Sequence, residues 1–159
     1  MQLSYRFVLT VLALLMYVPG AAAAEAPMIK VLKSPTCGCC VKWMEHLHDN
    51  GFATTPDEPD NLEQIKSELG IGQQYRSCHT GVSKQGFVFE GHVPSKFIRA
   101  FLASPPKGAI GLSVPGMPLG SPGMEVGDRF TPYQVLLLHK DGSSDVFAEV
   151  NAPGEQFQQ

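Results

Sequence analysis

The chain has 159 residues, 12 of them basic and 15 acidic, and its formal net charge at pH 7 is −3. This small acidic excess, with no basic stripe, excludes the electrostatic pattern of a nucleic-acid-binding protein. Hydrophobic residues make up 43% of the chain, which is enough for an ordinary core, and the length fits one domain behind a leader segment.

The first 24 residues have the layout of a cleavable secretory signal. Arg6 gives a basic start, residues 7–18 form an apolar run broken only by Thr10, and small residues at 21–24 follow it. This order is typical of signal peptides, whereas a membrane-spanning helix needs about 20 apolar residues. The sequence therefore predicts an exported protein with no stable membrane insertion, and an uncleaved anchor is the alternative. Loss of this segment removes one basic and no acidic residue, so the net charge becomes −4.

Strand and helix patterns alternate along the mature chain. A short apolar strand is predicted at about residues 28–33, and an amphipathic helix at 38–50 ends at Gly51. A second helix is predicted from 61 to 69, before a hairpin and a third helix that Pro94 opens. The remaining predicted ranges are 80–83 and 87–90 for that hairpin, 94–103 for the third helix, 104–128 for an irregular Pro/Gly-rich loop, and 133–139 with 145–150 for a closing hairpin.

This order of elements is that of a thioredoxin or glutaredoxin core. The predicted fold is α/β and thioredoxin-like, a glutaredoxin-like βαβ-αββα core with a Pro/Gly-rich loop and a C-terminal hairpin. We assign residues 1–24 to the signal peptide, 25–151 to the domain and 152–159 to a flexible tail. In such folds the loop before the third strand faces the start of the first helix. Here that loop contains Cys78 and His79, where thioredoxins have a cis-proline.

Three of the four cysteines lie at the start of the first predicted helix, at Cys37, Cys39 and Cys40. Free backbone amides and the helix dipole stabilise thiolates there, and thiolates serve both disulfide exchange and metal binding. The cysteine between the Cys37-x-x-Cys40 pair favours a metal site, because a dithiol catalyst gains nothing from a third thiol. Thiolate and thioether ligands select Cu(I), zinc or iron–sulfur clusters.

Histidines and methionines add further candidate ligands. His46 lies seven residues beyond Cys39, about 10 Å along a helix, so only a cluster of several metal ions would include it. His79 follows Cys78, His92 lies between a strand and a helix, and the tripeptide Pro-Gly-Met occurs twice in the Pro/Gly-rich loop. For each histidine and methionine, packing in the core is the alternative role. The candidate metal ligands are Cys37, Cys39, Cys40, Cys78, His46, His79, His92, Met117 and Met124.

Together these motifs resemble the CopG-type periplasmic copper-resistance proteins. The resemblance spans about residues 28–150, and its most specific segment is the run SPTCGCC at 34–40. The other matching segments are Trp43, His46-Leu47, Gly51-Phe52, Ser77–Thr80, Glu90–Pro94, and the two Pro-Gly-Met segments at 115–118 and 120–125. The resemblance implies a thioredoxin-like fold, an exported location, copper as the bound metal and other periplasmic copper-export components as partners.

The residues and the resemblance lead to one main hypothesis of function. We expect an exported protein of copper resistance that holds Cu(I), and more than one ion of it, in a nest of four cysteine thiolates with histidine and methionine support. Cycling between Cu(I) and Cu(II) stays open, and no other enzymatic step is expected. The alternatives are a periplasmic thiol–disulfide oxidoreductase that uses Cys37-x-x-Cys40 and a structural domain stapled by zinc.

Overall fold

The computed structural model describes residues 25–157, so the predicted signal segment lies outside the described residues. Within this range the chain is a mixed α/β domain with one seven-stranded sheet and three α-helices. No helix in this part of the chain is long and apolar enough to cross a membrane. The strands are β1 (Met28–Lys33), β2 (Ala53–Asp57), β3 (His79–Ser83), β4 (Val88–Glu90), β5 (Ala109–Ser113), β6 (Tyr133–His139) and β7 (Ser144–Val150). The helices are α1 (Gly38–Asp49), α2 (Leu62–Glu68) and α3 (Ser95–Ala103), with short 3-10 helices at Gln73–Tyr75 and Pro153–Gln156.

The strands lie in the order β2-β1-β3-β4-β5-β6-β7. The pairs β1–β2 and β4–β5 are parallel, and every other neighbouring pair is antiparallel. Parallel neighbours need a crossover connection, and α1 and α3 supply the two crossovers. The predicted α/β class and the predicted helices are confirmed, and β2 lies between the first two helices, where the predicted βαβ-αββα order has a strand.

One strand lies where the sequence predicts only irregular structure. β5 occupies the start of the 104–128 segment, whose glycine and proline content is typical of a loop. Gly111 in this strand has a φ of 155°, and a Cβ there would lie 1.8 Å from the carbonyl oxygen of Val88. Gly111, which in the sequence is typical of a loop, is therefore the residue that allows β5 to approach β4 closely.

The two faces of the sheet carry hydrophobic clusters of different size. The larger cluster includes Trp43 and Leu47 of α1 together with Phe101 of α3, and it covers one face. Val88 belongs to a smaller cluster, whereas its neighbour Phe89 belongs to the larger one. Since successive strand residues point to opposite faces, the smaller cluster lies on the other face.

The C-terminal segment, for which the sequence predicts a flexible tail, contains a short helix that packs against the domain. Pro153–Gln156 forms a 3-10 helix, and Gln156 is buried. Its side-chain oxygen accepts a hydrogen bond of 2.6 Å from the Tyr133 hydroxyl, and its amide nitrogen donates to the Gly120 carbonyl at 2.7 Å. These contacts fasten the segment to β6 and to the Pro/Gly-rich loop.

Candidate metal centre

The first helix starts at a cysteine that caps it. Cys37 has an extended backbone, and its Sγ accepts a hydrogen bond of 3.3 Å from the backbone N–H of Cys40. A cap of this kind satisfies an amide that no carbonyl of the helix can reach. Cys39 and Cys40 consequently occupy the first turn of α1, Cys40 buried and Cys39 half-buried.

The fourth cysteine reaches the same place through the sheet. β1 and β3 run antiparallel with Lys33 paired to His79, so the residues after β1 lie beside the residue before β3. That residue is Cys78, whose Sγ lies 3.8 Å from the Sγ of Cys39 and 3.7 Å from that of Cys40. All four sulfur atoms lie within 4.8 Å of one another. We call this group the sulfur nest: Cys37, Cys39, Cys40 and Cys78.

Two members of the sulfur nest are bonded to each other. Cys37 and Cys40 form a disulfide, and Cys39 and Cys78 are free thiols. Burial, and after it the neighbouring Cys39, raises the pKa of the Cys78 thiol to about 12, so this group is protonated at neutral pH. A metal ion must displace that proton, because the thiolate is the form that binds metals. The nest offers two thiols while the disulfide is intact and four after its reduction.

His92 presents a ring nitrogen to the sulfur nest. Its Nδ1 lies 2.8 Å from the Pro122 carbonyl oxygen, and its Nε2 lies 3.3 Å from the Sγ of Cys78. A carbonyl can only accept, so Nδ1 carries the proton and the lone pair of Nε2 faces the sulfur. Burial lowers the pKa of His92, which keeps the ring neutral at pH 7. A backbone carbonyl that fixes the tautomer in this way is typical of metal-binding histidines.

His79 is the second histidine beside the sulfur nest. Its ring is fully buried between Trp43, at 4.4 Å between ring centroids, and His92, at 4.9 Å. Its Nδ1 lies 3.3 Å from the Sγ of Cys78, and its Nε2 has no hydrogen-bond partner among the described residues. Burial, and then the nearby His92 and Lys66, lower its pKa well below the usual range. Cys78, His79 and His92 therefore form a second donor group that shares one sulfur with the nest.

His46 lies apart from both donor groups. Its Nε2 accepts a hydrogen bond of 3.0 Å from the backbone N–H of Ser95, at the start of α3. Burial lowers the pKa of His46, so its neutral ring acts as an acceptor for this helix terminus. In the structure His46 therefore contacts the start of α3 and is a member of neither donor group.

The two predicted methionines lie in different surroundings. Met124 lines a cavity of about 350 Å³ together with Cys39 and Lys42, next to the sulfur nest. Gly123 makes this approach possible, because a Cβ there would lie 2.8 Å from the Cys39 carbonyl oxygen. Met117 is 53% exposed and lines another cavity against β6, so the structure does not bring it to the nest.

A buried ion pair behind the nest is absent from the sequence-based predictions. Lys66 of α2 and Glu90 of β4 are fully buried and lie 2.7 Å apart, Nζ to Oε1. A lysine on a short polar helix reads as a solvated side chain, since lysine is almost never buried without a partner. No local signal marks Lys66, because its partner is 24 residues away in the sequence.

The donor set fits a soft metal ion. Four sulfur atoms and two neutral imidazoles converge, and Cu(I) prefers thiolate while imidazole also suits Cu(II) and zinc. Cys78 belongs to both donor groups.

Comparison with known proteins gives three results. A family model described as "Protein of unknown function, DUF411" matches residues 75–124, which include Cys78, His79 and His92. The solved structure named "Copper resistance protein copG- Form 2" is 43% identical, with a TM-score of 0.75, and the match covers 79% of this chain and 99% of that one. The structure named "Copper resistance protein copG- Form 1" is also 43% identical, with a TM-score of 0.74 and coverage of 79% and 98%. No curated protein sequence matches the chain.

Proposed function

The chain belongs to the family of CopG-type copper resistance proteins, and on this premise we propose that it binds copper as Cu(I) in the sulfur nest. The observation that supports this most strongly is the convergence of four cysteine sulfurs within 4.8 Å. Structural zinc uses one closed set of four ligands, whereas bridging thiolates distribute their charge over several monovalent ions. The role in the cell is copper resistance, by holding copper ions that would otherwise be free.

We propose that the nest holds more than one copper ion. Four thiolates exceed what one Cu(I) requires, and Cys78 has His79 and His92 on its other side at 3.3 Å. Met124 adds a thioether at the edge of the nest. Imidazole donors also suit Cu(II), so the same site offers ligands to both oxidation states of copper.

Three finer parts of the proposal concern fold, place and partners. The order from β1 to α3, with strands in the spatial order β2-β1-β3-β4, supports a thioredoxin-like core. The charged, apolar and small-residue pattern of residues 1–24 supports export to the periplasm. A copper site in that compartment would receive copper from, or give it to, other periplasmic copper-export components.

A thiol–disulfide oxidoreductase is the second candidate function. The observation that favours it is the Cys37–Cys40 disulfide at the start of α1, with the free thiol of Cys78 3.7 Å from Cys40. That function predicts reduction of insulin by the metal-free dithiol protein and insensitivity to Cys39→Ser. Copper binding instead predicts no rapid reduction of insulin and fewer bound copper ions in Cys39→Ser, because each cysteine lost removes a ligand.

The test is an anaerobic Cu(I) titration of the fully reduced protein, residues 25–159, followed by native mass spectrometry. We expect saturation at more than one copper ion per chain and fewer ions bound by Cys78→Ser. Met117→Leu is the matched control and keeps the wild-type number, since Met117 is exposed and away from the nest. Saturation at one ion would contradict the cluster, and retention of zinc with no uptake of copper would favour the structural zinc domain.

A further inference from the structure

Lys66 and Glu90 form the one ion pair, among those of residues 25–157, in which both side chains are fully buried. The pair lies across the sheet from the metal centre. Glu90 is opposite Thr80 in the β3–β4 register, while the adjacent His79 packs on Trp43 of α1. Since neighbouring strand residues point to opposite faces, Glu90 and Thr80 face α2 and His79 faces the sulfur nest.

The ion pair binds the backbone on one side of Cys78 and a side chain on the other. Lys66 Nζ donates to the Ser77 carbonyl oxygen at 2.6 Å, and the Ser77 N–H donates to Glu90 Oε1 at 2.7 Å. The Thr80 hydroxyl donates to Glu90 Oε2 at 2.5 Å. The backbone N–H and carbonyl of Ser77, the residue before Cys78, and the side chain of Thr80 are thus held by one buried pair.

Stability alone does not account for a pair of this kind. Removing two charges from water is so unfavourable that apolar residues of similar volume in their place are often neutral or stabilising. Here every hydrogen bond that the two side chains make outside the pair goes to Ser77 or Thr80, the residues that flank Cys78 and His79. Apolar residues could match the stability of the pair, but they could not make these directed hydrogen bonds to Ser77 and Thr80.

We propose that Lys66 and Glu90 are positioning residues that hold Cys78 and His79 in ligand geometry before any metal arrives. This inference rests on the proposed copper-binding function. Cys78 is the sulfur that both donor groups share, so a shift of its backbone would disturb both groups together. Removing the contacts that hold the ligands of a metal site commonly lowers the metal affinity 10–100-fold.

The experiment compares the wild type with the double variant Lys66→Met/Glu90→Leu, which replaces the pair by apolar side chains. We expect a thermal unfolding midpoint equal to or above that of the wild type and a Cu(I) affinity about 10–100-fold weaker, measured by competition with a Cu(I) chelator. A merely structural role for the pair would move these two measurements in the same direction. A folded double variant with wild-type affinity would overturn the proposal.

Two further variants keep the test decisive if the double variant does not fold. Thr80→Val removes one bond to Glu90 and leaves the ion pair intact, and we expect a smaller loss of Cu(I) affinity. Leu138→Ala, in the hydrophobic cluster on the same face of the sheet, is the control that lowers the unfolding midpoint without changing Cu(I) affinity. Wild-type affinity in Thr80→Val, or an equal loss in Leu138→Ala, would contradict the positioning role.

A measurement without metal separates this inference from the proposed function. Hydrogen exchange of the amides of residues 77–80 in the metal-free protein is expected to accelerate in the double variant and in Thr80→Val, and not in Leu138→Ala. Unchanged exchange in both would refute the positioning role. If the wild type binds no Cu(I), the copper function fails, while accelerated exchange would still show that the pair holds this loop.

Discussion

His79 and His92 are buried bases, and their protonation state decides whether they can bind a metal ion. Both rings are fully buried, and burial lowers the pKa of each. The two therefore keep their lone pairs at neutral pH, and His92 directs its free nitrogen at Cys78 because Pro122 holds the other one. At a histidine with an ordinary pKa, protons would compete with a metal ion for the ring nitrogen.

The lowered histidine pKa values predict a pH dependence of stability in the metal-free protein. In the unfolded chain these groups bind protons below about pH 6.5, whereas in the folded chain they resist protonation. Stability is therefore fully present above about pH 6.5 and is lost as the pH falls towards the folded pKa values. The free energy of unfolding falls by up to about 1.4 kcal/mol per pH unit for each buried histidine.

Urea unfolding at a series of pH values between about 7.5 and 5.5 measures this slope. His79→Gln removes one of the histidines whose pKa burial lowers, so its free energy of unfolding varies less steeply with pH than that of the wild type. An equal slope in the two proteins would show that His79 does not titrate differently on folding.

At the scale of elements, the Pro/Gly-rich loop packs on α1 beside the candidate metal centre. Gly123 has a φ of 88°, and a Cβ there would lie 2.8 Å from both the Cys39 carbonyl oxygen and the Trp43 amide nitrogen. The same stretch of loop supplies the Pro122 carbonyl that binds His92. Close packing of loop backbone on helix backbone thus places the Pro122 carbonyl beside His92, and Met124 beside Cys39 in one cavity.

Gly123→Ala is expected to weaken the docking of this loop. The new Cβ meets backbone atoms that cannot move aside, and the positive φ disfavours any side chain by roughly 1–2 kcal/mol. Gly127→Ala is the matched control, since Gly127 also has a positive φ, of 57°, but nothing lies within 4 Å of its Cβ position. Thermal unfolding should give a larger loss of stability for Gly123→Ala, and equal losses would show that the close contact is unimportant.

The sequence predicts these elements well where the signal is local. The predicted helix at 38–50 is Gly38–Asp49, and the closing hairpin lies within one residue of its predicted bounds. Amphipathic periodicity, a capping side chain and a glycine stop act within a few residues, so they can be read along the chain. β5 escaped prediction because its glycine serves a contact with β4, which no local pattern shows.

At the scale of the whole molecule, the C-terminal segment contacts β6, the Pro/Gly-rich loop and α1. Gln156 links Tyr133 of β6 to Gly120 in the loop that carries Met124. Phe157 packs its ring 5.9 Å from His46, the residue that caps α3. This segment therefore stabilises the loop and the third helix at the same time.

Gln156→Ala is expected to lower stability by about 1–3 kcal/mol, because it leaves the half-buried Tyr133 hydroxyl and the buried Gly120 carbonyl without a partner. Gln134→Ala is the matched control, a substitution at an exposed glutamine whose bond to Glu149 contributes little. The midpoint of urea unfolding measures both. A Gln156→Ala protein as stable as the control would support the flexible tail that the sequence predicts.

The sequence by itself determined the α/β class, most element boundaries, and a cluster of cysteines at the start of a helix, because these follow from periodicity, capping and spacing over short stretches. Only the tertiary structure decided which distant residues join that cluster. The β1–β3 register brings Cys78, and the path of the loop brings His92 and Met124 while leaving Met117 outside. His46 had equal standing with the other histidines in the sequence, yet it caps α3, and Lys66 showed no signal at all. Register and loop path depend on packing between residues far apart in the chain, and for that reason the set of neighbouring donor residues could not be predicted from local pattern alone.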